Sequence, residues 1–208
     1  SSAASDVYKR QTGRTFLTYG LVDKTKNEYE NILKTFSPYL KKGIPVVGLE
    51  PSCILSFRDE LPSLIKSKEA LLLSQNSFTF EELLIKKTPN FNFKAYNNKV
   101  LLHGHCHQKA FDAVNPIVEI LNKVPKIQLE NIETSCCGMA GSFGYNKETY
   151  EVSIKMAMAK LIPSILKYKN PTVIADGTSC RAQIKDQSSI KAIHIANFLE
   201  PLIIENHN

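Results

Sequence analysis

Apolar side chains recur at helical spacing over residues 23–42 (Tyr29, Ile32, Leu33, Phe36 and Leu40), and two lysines followed by Gly43 mark a stop. The apolar run 44–49 then reads as a short buried strand. It delivers Glu50, Pro51, Ser52 and Cys53, from which a helix is predicted through residue 65. Helical turns are expected at 69–74 and 79–87, and the polar stretch 89–98 reads as the boundary between two halves. The second half opens on a strand from Lys99 that again ends on a cysteine, Cys106, among His103, His105 and His107. Strand alternation would set the three histidines on one face, where they could line a pocket together. A helix over 108–122, a strand at 126–129, a long helix over 147–167 that Pro163 should kink, a strand at 171–175 and a final strand at 190–195 complete the pattern.

Laid side by side, the two halves suggest an internal repeat: a glycine-led loop, a helix, a strand, then Pro51-Ser52-Cys53 in the first and Thr178-Ser179-Cys180 in the second. The expected architecture is therefore α/β, two tandem pseudo-repeated units with short parallel strands and cysteines at their carboxyl ends. The first, truncated half would cover 12–88 and the second 99–208. Residues 1–11 lack periodicity and join the patterned segment abruptly, so they read as foreign, adapter-like sequence and are set aside. In the repeat, Gln11 and Thr12 stand where the first half should carry a cysteine pair.

The chain of 208 residues is 43% hydrophobic and 22% charged, enough to bury a substantial core. Its net charge of +6 comes from lysines scattered over helical surfaces, without the aromatic interleaving of a nucleic-acid reader. No apolar run approaches the roughly 20 residues that span a bilayer. A cytoplasmic location is expected, with any membrane association peripheral at its inner face. Five cysteines cannot all pair, and in an α/β pattern they point to metal or redox chemistry.

The run 133–145 holds that chemistry: adjacent Cys136 and Cys137, then Gly138, Gly141 and Gly144, just ahead of a helical pattern. Glycine lets backbone come close to a bulky group, and a helix start favours anionic neighbours. Cys53, Cys106 and Cys180 each follow a strand, and ligands of parallel α/β sheets collect beyond the carboxyl ends of the strands. An iron–sulfur centre held by Cys106, Cys136, Cys137 and Cys180 is the leading reading, because thiolates are its usual ligands. Packing alone, a zinc site and a Cys136–Cys137 disulfide switch are the alternatives; zinc is disfavoured by the absence of Cys-x-x-Cys pairs. His105 and His107 would tune the centre by hydrogen bonds, and Arg181 would offset its charge. The glycine spacing is not the dinucleotide fingerprint, so no nucleotide is assigned.

These residues resemble the cysteine-rich CCG domain found in heterodisulfide reductase, in the iron–sulfur subunit of glycolate oxidase and at the C-terminus of FAD-linked D-2-hydroxyacid dehydrogenases. The wording around His103 to Ala110, Cys136 to Tyr145 and Asp176 to Arg181 is most similar to the last group, the D-lactate and D-2-hydroxyglutarate dehydrogenases. The resemblance implies tandem pseudo-symmetric units, an electron-transfer role and an iron–sulfur cluster of the 4Fe–4S type, with Cys53, Cys106, Cys136, Cys137 and Cys180 as metal residues. His105, His107, Gly138, Gly141 and Arg181 are the expected cofactor-binding residues. The resemblance further implies that FAD sits on an N-terminal part beyond this chain, that flavin and ferredoxin-type domains are the partners, and that the fragment is not catalytic alone. The family's fuller pattern ends in Cys-x-x-Cys, where this chain has Glu50 and Gly177 at the earlier positions.

Overall fold

A computed structural model describes residues 12–87, 92–134 and 136–204; the expected foreign segment 1–11, and Gln11 with it, lies outside the described residues. The chain forms two compact units, one running through Thr79 and the other starting at Phe80.

In the first unit, helices α1 (Arg14–Thr18) and α2 (Val22–Leu40) lead into strand β1 (Val46–Gly48). The periodicity of α2 buries Tyr29, Ile32, Leu33 and Leu40, and Gly43 follows it at φ +73°. The stretch expected as one helix to residue 65 is broken into α3 (Pro51–Ile54), a 3-10 turn at Leu55–Phe57 and α4 (Glu60–Leu64). Helix α5 (Lys68–Gln75) starts at Ser67, whose hydroxyl accepts the Ala70 N–H at 3.0 Å. It ends in β2 (Ser77–Thr79), a strand absent from the periodicity, which pairs parallel with β1. Arg58 fixes that strand by donating from Nε to the Ser77 carbonyl at 2.8 Å. β1 is only half-buried, with Val47 41% exposed, so the expectation of a buried strand holds for one face alone.

The second unit opens with α6 (Phe80–Lys87), which packs within this unit against α8. Residues 88–91 lie outside the described residues. Then come β3 (Lys99–Leu102), α7 (Cys106–Ala110), α8 (Asn115–Asn122), β4 (Gln128–Asn131), α9 (Tyr150–Ala159), α10 (Leu161–Leu166), β5 (Thr172–Ile174), α11 (Thr178–Ser188) and α12 (Ile195–Leu199). The strands are all parallel in the order β4-β3-β5, with β3 central. Alternation along β3 sends Leu101 into a core with α9 and α10, and Val100 and Leu102 into a core with α8 and α12. Helices thus cover both faces, the arrangement that buried parallel sheets require.

Three expectations for this unit change. The helix 147–167 is interrupted at Lys160 (φ −151°), three residues before Pro163, so that proline falls in the tolerated first turn of α10. The helix 108–122 is split into α7 and α8 by a turn over 111–114, and α7 starts earlier, at Cys106; after β5, α11 begins at Thr178 and carries Cys180 in its first turn. The final strand is reduced to one parallel bridge, Ile174 with Ile193, because His194 already caps α12.

From β3 the chain moves to β4 on one side, whereas from β5 it moves to Ile193 on the other. The carboxyl ends of β3 and β5 therefore frame a topological switch point, where parallel sheets place their ligands.

Candidate metal centre

Three segments deliver sulfur to that edge. Cys106 is the first residue of α7, just beyond β3, and Cys180 the third residue of α11, just beyond β5. Cys136 and Cys137 arrive on the loop after β4. Hydrogen-bonding contacts join the thiols in sequence: Cys106 with Cys136, Cys136 with Cys137, Cys137 with Cys180. Cys137 and Cys180 are buried, Cys136 partly so and Cys106 exposed.

His103 directly follows β3 and extends its ladder by donating its N–H to the Ile174 carbonyl at 2.9 Å. Its side chain is buried, with Nδ1 3.0 Å from Thr134 Oγ1. Nε2 is buried with no nitrogen or oxygen partner, and a His103 ring nitrogen lies within 4.8 Å of the sulfurs of Cys137 and Cys180, as these do of each other. Lys109, one helical turn after Cys106, donates to the Thr134 carbonyl and to Thr134 Oγ1.

Crowding sets the electrostatics. Hydrogen bonds from Cys106 and then Cys137 hold Cys136 far below the ordinary thiol range, the Gly138 N–H assisting at 3.3 Å. Hydrogen bonding from Cys137, and after it hydrogen bonding and charge from His103, lowers Cys180 in the same way against the opposing effect of burial. Donation to Cys136 pushes Cys106 up, and donation to Cys136 and Cys180 pushes Cys137 up, burial adding to both. Raised and lowered groups thus alternate along the series. Burial pulls Lys109 down from the usual ammonium range while the neighbouring sulfurs hold it up. A cation bound among these sulfurs would release the remaining thiol protons, as thiolate metal sites do.

The chain is similar to dehydrogenase proteins. It is 26% identical over 185 residues to a subunit of the anaerobic glycerol-3-phosphate dehydrogenase of Escherichia coli K12, covering 88% of this chain and 46% of that protein. It is 27% identical over 206 residues to the D-2-hydroxyglutarate dehydrogenase of Haemophilus influenzae, covering 89% of this chain and 19% of that protein. The D-2-hydroxyglutarate dehydrogenase of Pantoea ananatis is 26% identical over 148 residues, covering 70% of this chain and 14% of that protein. The chain therefore spans about half the length of the first of these relatives and a fifth or less of the others. No family model matches it.

The remaining expected site residues have definite positions. The imidazole of His105 caps α7: Nδ1 accepts the His107 N–H at 3.1 Å, while the His105 N–H donates to Gln108 Oε1 at 3.0 Å. His105 and His107 stack at 5.2 Å, each with Nδ1 3.8 Å from the Cys106 sulfur. The three histidines do not alternate on one strand face, because β3 ends at Leu102 and α7 begins at Cys106. Gly138 lies at φ +87°, where an added Cβ would overlap the Ser153 carbonyl. Gly141 (φ +57°) turns the exposed end of the loop. Arg181 donates from Nη1 to the carbonyls of Ala175 and Asp176 and from Nη2 to Thr178 Oγ1, bracing the segment that presents Cys180. Cys53, in the first unit, accepts from Thr12 Oγ1 at 3.4 Å and borders a cavity of about 160 Å³ that Phe36, Val47 and Phe57 also line.

Sequence reasoning misses the supporting roles of buried His103 and Asp176 and of Thr134 and Lys109. The Cys106-x-x-Lys109 spacing, one helical turn, is a usable signal for Lys109. Asp176 ties the edge together: Oδ2 accepts from Gln108 Nε2 at 2.8 Å and Oδ1 from the Ile195 N–H at 3.0 Å, with His194 Nε2 3.6 Å from Oδ1. Among the described helices none is long and apolar enough to cross a membrane.

Proposed function

We propose that the chain is an iron–sulfur electron-transfer module of a flavin-dependent dehydrogenase acting on a small hydroxylated substrate, a D-2-hydroxyacid being the preferred class. The observation that carries this is the convergence of four thiols from three separate segments at the switch point of the sheet. The donor set fits such a group: four sulfurs joined by contacts in sequence, with a buried imidazole nitrogen that has no nitrogen or oxygen partner beside Cys137 and Cys180. Cys106, Cys136, Cys137 and Cys180 would hold it, and when bound it supplies one-electron transfer. The chain's own groups position it: the Gly138 N–H donates to Cys136, Lys109 places a positive charge beside the thiolates, and Asp176 and Arg181 fix the strand ends. Similarity to dehydrogenases and to a dehydrogenase subunit supports flavin and ferredoxin-type partners, on this polypeptide or another.

The two units are read as diverged copies of one α/β repeat. In support, Cys53 and Cys180 are each the third residue of a helix that follows a parallel strand. The first copy then retains Cys53 alone.

Anaerobic reconstitution with iron and sulfide tests the reading. Brown protein with stoichiometric iron and acid-labile sulfide, lost in Cys136→Ser and Cys180→Ser, is expected. Colourless protein without iron would overturn it. The tight His103, Cys137 and Cys180 grouping, within 4.8 Å, also suits a single tetrahedral zinc ion, and zinc bound without sulfide is the outcome that would establish that second reading.

A further inference from the structure

We propose that His103 supplies a nitrogen ligand to the centre, coordinating through Nε2 beside Cys137 and Cys180, so that the site is a mixed thiolate–imidazole one. The inference rests on the reading of the cysteine group as a metal centre. His103 is 1% exposed and its Nε2 has no nitrogen or oxygen partner, an unfavourable condition for a buried polar atom unless something else binds it. What lies nearby is sulfur from two of the four clustered cysteines.

The other face of the ring is held. Nδ1 lies 3.0 Å from Thr134 Oγ1, and the same oxygen accepts from Lys109 Nζ at 3.3 Å. A hydroxyl both accepts and donates, so it satisfies Nδ1 in either tautomer. That leaves Nε2 as the ring nitrogen available to a metal, and metal-bound histidines characteristically have their other ring nitrogen hydrogen-bonded. His105 is held differently. Its Nδ1, the nitrogen 3.8 Å from the Cys106 sulfur, is already occupied by accepting the His107 N–H. Its ring also fills the space that a side chain at position 177 would enter, the position where a Cys-x-x-Cys pattern would carry its first cysteine. A neutral imidazole in place of a thiolate lowers the negative charge of the centre and raises its reduction potential.

Pulsed electron paramagnetic resonance on the reconstituted, dithionite-reduced protein tests this, with iron and sulfide content reporting separately whether the centre assembles at all. Modulation from a coordinated nitrogen is expected. It should change when histidine is labelled with nitrogen-15, vanish in His103→Cys, which still loads, and persist in His105→Gln. A loaded centre without coordinated nitrogen, or a nitrogen signal that survives His103→Cys, would overturn the proposal. If no cluster assembles, cobalt(II) titration of the same protein decides: His103→Ala should bind roughly 10-fold or more weakly and shift the ligand-field bands. Unchanged cobalt affinity and spectrum would overturn it equally.

Discussion

Replacing Gly138 by alanine puts the site's geometry under direct test. The residue lies at φ +87°, and a Cβ there would overlap the carbonyl oxygen of Ser153 in α9, with Met156 Cβ 3.2 Å away. Holding a non-glycine residue in a left-handed conformation costs about 1–2 kcal/mol. Forcing an extra carbon against backbone that cannot swing aside adds roughly 1–3 kcal/mol. The variant should therefore lose about 2–5 kcal/mol, and at about 4 °C per kcal/mol its melting temperature should fall by roughly 8–20 °C. Gly43→Ala separates the two contributions, because Gly43 has φ +73° but nothing within 4 Å of an added Cβ. That control should lose only the conformational part. Urea titration of metal-free protein measures both, and iron content after reconstitution reports whether the displaced loop still presents Cys136 and Cys137. A Gly138→Ala protein within about 0.5 kcal/mol of wild type and fully loaded would refute the close approach of this loop to α9.

Two further outcomes follow from buried groups. Asp176→Asn removes an acceptor that faces Gln108 and the Ile195 N–H together, and should cost about 1–3 kcal/mol in urea titration while weakening metal retention, since Gln108 lies on the Cys106 helix and Asp176 on the Cys180 loop. Burial, more than any other cause, raises the Tyr29 phenol above its usual value. Its contribution is complete below the unfolded value of about 10 and is lost as pH climbs through the higher folded one. The first unit should therefore lose stability above about pH 10. Tyr29→Phe should flatten that alkaline limb in pH-dependent denaturation, and an unchanged limb would refute the assignment.

Legibility in the sequence follows length and periodicity. Helix α2 repeats its apolar stripe over five turns, and its limits match expectation within two residues. β2 has three residues, two of them hydroxylated, and no pattern that short separates a strand from a turn. α11 escapes because it buries only Cys180, Gln183 and Ile184 and has no apolar stripe to announce it. The cysteines are legible as a group because three follow apolar runs and the other two are adjacent in a glycine-rich loop, but the supporting groups are not. Strand alternation is the rule applied to the three histidines, and it fails beyond His103, where the chain turns into α7, while Thr134 sits in a loop whose partners are distant in sequence.

The adjacent cysteines, awkward as ligands when viewed along the chain, make sense across the sheet. β4 lies on the far side of β3 from β5, so the loop that leaves it must serve two strand ends at once. Side chains of neighbouring non-helical residues diverge, and here Cys136 meets Cys106 beyond β3 while Cys137 meets Cys180 beyond β5. One dipeptide thereby bridges the two helices that open at the switch point. The positive φ of Gly138 turns the chain away directly afterwards, and its N–H remains directed at Cys136. The parallel order of the strands, rather than any local ligand spacing, brings the four sulfurs together. That is why no short-range cysteine pattern needs to appear between residues 106 and 180 beyond the dipeptide itself.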